Sequence, residues 1–119
     1  MTDLDALIAR VEHGDWHFGI CRAALGPSSD IRYAAKKAYL GSLDAAARLH
    51  GALLPGMFWN MGCLDMPSLG YVCTVAEGHF ADSPSWRGYA MNPARAWLLA
   101  ILHTLKATGI AALPVLWKH

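Results

Sequence analysis

His13, His17 and Cys21 fall at i, i+4 and i+8, the spacing that stacks three side chains along one face of an unbroken helix. Two imidazoles and a thiolate in such a row make a zinc set, since zinc takes nitrogen and sulfur ligands in a tetrahedron. Gly14 breaks the row at the turn that would hold His13 over His17. His79 and Cys73 are available as further ligands, but no second cluster carries a matching spacing. The reading without metal is a loop His13, a surface His17 and a core Cys21, and no metal or cofactor is expected.

Nucleophilic chemistry needs Cys63 or Cys73 beside His79 or His50. Neither cysteine sits in a nucleophile elbow, and the alternation around both predicts a buried face. The carboxylates are better spent on structure. Asp3 and Asp5 belong to a helix start, and Asp65 and Asp82 to turns. No glycine-rich loop joins a strand to a helix, so nothing cradles a nucleotide phosphate. The expectation is a protein without enzymatic activity.

Binding is the remaining chemistry. The chain holds five tryptophans. Trp97 and Trp59 read as core, from a helical face and an alternating face. Trp86 and Arg87 follow a turn-rich stretch, and Trp117 lies in an apolar tail. An aromatic ring beside an arginine is the composition of interface anchors, so Trp86, Arg87 and Trp117 are the expected partner-binding residues. The plainer alternative is that Trp86 covers the sheet edge.

Several elements must position these residues. Thr2-Asp3-Leu4-Asp5 has the capping-box form and opens a helix to about residue 12, ended near Gly14. Trp16 to Leu25 reads as a second short helix. Residues 31–40 fit either a helical turn or a loop. Ser42 caps a helix closed by Gly51 and Pro55. The period then drops to two through Met57, Trp59, Met61 and Cys63 and again through Tyr71, Cys73 and Val75, giving two antiparallel strands. Ser85 to Met91 is a third strand. Asn92 caps the last helix, Pro93 takes its first position, and Gly109 lies just past its end. Ala94, Trp97, Leu98, Ile101, Leu102 and Leu105 mark it as amphipathic. The fold class is α+β, a small three-stranded antiparallel sheet flanked by helices in helix–sheet–helix layers. Residues 1–108 form one domain, and the apolar tail 109–119 is expected to dock on it or on a second chain.

At 119 residues the chain can bury a core without staples. A hydrophobic fraction of 55% is high for that size, which leaves apolar surface for a partner or a second copy. Its longest apolar run, Ala96 to Leu102, is too short to cross a bilayer. Three cysteines without a CxxC pair fit a reducing cytosol. A net charge of +1 excludes a DNA mimic and disfavours a non-specific nucleic-acid binder. Residues 83–119 do carry four bases and no acid, so a basic face of Arg87, Arg95 and Lys106 is open to test.

Leu4-Asp5-Ala6-Leu7-Ile8-Ala9, Tyr39-Leu40-Gly41-Ser42-Leu43-Asp44-Ala45-Ala46, a strand bearing Trp59 and Tyr89-Ala90-Met91-Asn92-Pro93-Ala94-Arg95-Ala96-Trp97-Leu98-Leu99-Ala100 together resemble the phage ABA sandwich domain proteins. The resemblance covers most of residues 3–107, with Asn92 where the family usually has threonine. It implies helix–sheet–helix layering and a phage or prophage accessory role, and it supplies no catalytic residues. The expected function is binding of a host protein in the bacterial cytoplasm, as an inhibitor of a host defence system of the anti-CRISPR type. The alternatives are a self-assembling structural or packaging protein and, behind it, a nucleic-acid-binding module.

Overall fold

The computed structural model describes residues 2–64 and 70–109. Helix α1 (Asp3–Glu12) begins as the capping box predicts: the Asp5 N–H donates to Thr2 Oγ1 at 3.1 Å, and the Thr2 N–H donates to Asp5 Oδ2 at 3.0 Å. It ends at His13, and Gly14 takes φ +76°, a conformation that favours glycine. Helix α2 (Phe18–Leu25) follows.

The segment left open between helix and loop is a full helix, α3 (Ser29–Tyr39). Ser28 caps it, and Ala34, Ala35, Ala38 and Tyr39 form its buried face. Three of those four are alanines, so the apolar contrast that betrays an amphipathic helix is low. Helix α4 (Leu43–Leu53) starts at the Ser42 cap but runs through Gly51, because Leu53 continues its buried face.

Strands β1 (Phe58–Cys63), β2 (Tyr71–Ala76) and β3 (Ser85–Ala90) form an antiparallel sheet in that order. Opposed residues include Trp59 with Val75, Met61 with Cys73, Cys73 with Gly88 and Val75 with Trp86. These share the face that packs on the last helix, α5 (Pro93–Thr108). Gly88 is the point of closest approach. A Cβ there would sit inside the van der Waals radii of the Ala96 carbonyl oxygen and the Ala100 nitrogen. Glycine therefore lets β3 lie directly against the helix backbone.

Helix α5 is capped as predicted. Asn92 Oδ1 accepts the Arg95 N–H at 2.8 Å, and Gly109 closes the helix in the left-handed conformation. It is not amphipathic, however. Ala94, Ala96 to Leu102, Thr104 and Leu105 are all buried. The sheet covers one side, and α1, α3 and α4 cover the other. An apolar run seven residues long is the mark of a helix buried all round.

The α+β class and the three antiparallel strands stand as read, with a different order of layers. Among the described residues, the helices lie on one face of the sheet: sheet, then α5, then α1–α4. No helix among them is long and apolar enough to cross a membrane. Trp117 and all but Gly109 of the tail lie outside the described residues, as does Asp65.

Candidate functional site

His13, His17 and Cys21 do not converge. His13 closes α1, and His17 caps α2 by accepting the Ile20 N–H on Nδ1 at 3.0 Å. Cys21 is in the core, where burial pushes its thiol up to about 11. Burial pushes the Cys73 thiol up to about 12. Cys63 departs from the expected buried face and is exposed. It belongs to an edge strand, and α5 packs over β2 and β3 instead. For the same reason Trp59 is 48% exposed, although its ring stacks on Trp97 at 3.9 Å. Trp97 is core as read, 3% exposed.

His50 is part of that aromatic cluster, and its polar atoms are fully used. The Trp97 indole N–H donates to His50 Nδ1 at 3.2 Å. Nε2 must then carry the proton, and it donates to the Met57 carbonyl at 2.9 Å. Both ring nitrogens hold structure together and none is left for catalysis.

Trp86 and Arg87 are adjacent in β3, so they point to opposite faces of the sheet. Trp86 is half-buried on the covered face opposite Val75, and Arg87 is exposed on the open face opposite Thr74. They therefore do not form one contact. The proposed basic face also divides. Arg95 Nε donates to the Tyr39 carbonyl at 3.1 Å, with its guanidinium 4.1 Å from the centre of the Tyr39 ring. Lys106 pairs with Asp5 at 2.5 Å. Of the three cations, Arg87 alone stands on the open sheet.

Two surfaces take shape from this geometry. One is the open sheet face, which Phe58, Val72, Arg87 and Tyr89 share, with Val72 opposite Tyr89 and Phe58 two rows away on β1. Phe58 and Tyr89 are exposed, and no described helix packs over them. The other is a cleft of about 610 Å³ between α2 and α3, with Trp16, Phe18, Arg32, Tyr33, Lys36 and Lys37 in its walls. Sequence reading missed it because it exists only once α3 is a helix. The available signal was Ser28 ahead of the 34, 35, 38 spacing.

No family model matches the chain, and no curated protein or solved structure matches it either.

Proposed function

We propose that this is a non-enzymatic phage or prophage accessory protein that binds a host protein through the open face of its sheet. The observation that carries the reading is that face itself: Arg87 and Tyr89 are neighbours along β3 and Phe58 shares the face from β1, all three exposed, with no described helix over them. Rings supply apolar contact area at low entropy cost, and Arg87 selects a partner that presents a carboxylate within an apolar patch. The family resemblance supports the phage origin, and an inhibitor of a host defence system, of the anti-CRISPR type, is its most concrete form. Three free thiols, with Cys63 exposed, support a place in the reducing bacterial cytosol. The buried thiols of Cys21 and Cys73 support a role without catalysis.

The test is a phage-plating assay in bacteria carrying defence systems, with the wild-type chain or an Arg87→Glu, Tyr89→Ala double variant expressed. Wild type should restore plating against one system. The variant should fail to do so at an unchanged melting temperature. Undiminished activity of the folded variant removes the open face from the function. Sedimentation of both proteins reads out the self-assembling alternative: a wild-type dimer that the same changes dissociate puts a second copy in place of the host protein.

A further inference from the structure

The α2–α3 cleft has the composition of a ligand site, independent of the sheet face. Its volume of about 610 Å³ is within the range of small-molecule sites. Phe18 is 60% exposed and Tyr33 59% exposed, and both belong to its walls with Trp16. Large rings left in water around one concavity form an apolar patch that a flat ligand would cover.

The charges point to the ligand's sign. Arg32, Lys36 and Lys37 are in the walls against a single carboxylate, Asp30. None of the three cations makes an ion pair among the described residues. Lys37 rests over the Tyr33 ring at 5.4 Å, and Arg32 over Phe18 at 5.1 Å. Arg32 is half-buried and under-used. Its one hydrogen bond runs from Nη2 to the Pro27 carbonyl at 3.3 Å, and its Nε is buried without an acceptor. The indole nitrogen of Trp16, in the same wall, is also a buried donor without an acceptor. Buried polar groups in native proteins are nearly always partnered, so two unpaired donors on residues of one wall mark packing that is incomplete around this cleft.

We propose that this cleft binds a small planar aromatic molecule carrying one anionic group. The ring would lie among Trp16, Phe18 and Tyr33, and the anion would take its hydrogen bonds from Arg32 with Lys36 close by. A guanidinium suits the task, since its fork of donors matches the planar geometry of a carboxylate or the oxygens of a phosphate.

The experiment titrates the full chain with 2-naphthoate, its neutral counterpart 2-naphthalenemethanol, and inorganic phosphate, followed by calorimetry and by the indole N–H resonances. The Trp16 resonance is identified with Trp16→Phe. Naphthoate should bind and shift the Trp16 signal, the alcohol should bind at least about tenfold more weakly for want of the charge-assisted bonds, and phosphate should not bind without a ring. Arg32→Gln should abolish the difference between acid and alcohol. Because Arg32 is half-buried and its loss can unfold the chain, Phe18→Ala and Lys36→Gln serve as second variants with exposed side chains. Each should weaken naphthoate in a protein that melts like wild type. Absence of naphthoate binding, equal affinity for acid and alcohol, or binding that leaves the Trp16 signal and both second variants unaffected overturns the assignment.

Discussion

Two aromatic clusters flank the buried helices, and they treat their polar atoms in opposite ways. Around His50 and Trp97 the buried ring nitrogens are all partnered, indole to imidazole and imidazole to carbonyl, and the Trp97 ring stacks on Trp59. Around Trp16, Phe18 and Tyr33, two of the three rings stand in solvent, and among the described residues two buried donors lack acceptors and three cations make no ion pair. Closed networks rigidify and specify a core. Open ones cost stability unless something outside the chain completes them. The comparison separates rings that hold the fold from rings available to a ligand, a distinction that residue type alone does not make.

The largest expected effect breaks the closed cluster. Trp97→Ala removes a ring that is buried, stacked on Trp59 and bonded to His50, and should cost about 3–5 kcal/mol of stability. That is a substantial part of a typical total of about 5–15 kcal/mol. Urea unfolding measures it. A loss below about 1 kcal/mol would make the His50–Trp97 cluster peripheral and end the contrast between the two regions.

How far the sequence reveals this molecule follows the range of the signals. Helix ends are written within four residues, so Thr2 with Asp5, Ser42, Asn92 with Pro93 and Gly109 all read correctly. The strands are legible from alternation. Faces are harder, because alternation says that two faces differ and not which of them a helix covers. Cys63 and Trp59 follow the core pattern yet lie on an edge strand, where α5 does not reach across to bury them. Trp86 and Arg87 look like one motif along the chain and are divided by the pleat. The cleft needs two helices to meet, and α3 is disguised by its alanines. Of the described residues read as anchors, Arg87 alone stands on the open sheet face; grouping into surfaces is a tertiary property that local spacing does not carry.

A third kind of group is partnered and only half-buried. Asp5 pairs with Lys106 at the far end of α5 and accepts the Thr2 N–H and O–H at 3.0 and 2.9 Å. The Lys106 ammonium, followed by the Thr2 bonds, holds the Asp5 carboxyl below its ordinary value of 3.8. A carboxyl depressed on folding stabilises the fold fully above its unfolded value, and that contribution fades as pH falls below it. Unfolding midpoints measured from about pH 5 down to about pH 3 should therefore fall more steeply for wild type than for Asp5→Asn. The difference should be modest, since the pair is partly open to solvent, on the Lys106 side above all. Parallel curves would show that Asp5 gains nothing from Lys106 and Thr2 on folding.

The smallest expected effect on stability belongs to the open cluster, and it sharpens the comparison most. Phe18→Ala deletes a ring as large as many in the core, but one that is 60% exposed. What the fold loses is the contact with the Arg32 guanidinium at 5.1 Å, worth about 0.5–1 kcal/mol at an exposed site. Alanine returns part of that, since it is the better helix former at the start of α2. The net change should stay within about 0.5 kcal/mol, as for surface substitutions in general. Set against Trp97→Ala in the same urea titration, this makes the two regions differ several-fold in what a ring contributes. A Phe18→Ala loss above about 2 kcal/mol would mean the ring packs like core. The cleft would then be a flaw in the packing of α2 on α3 and not a surface held ready for a ligand.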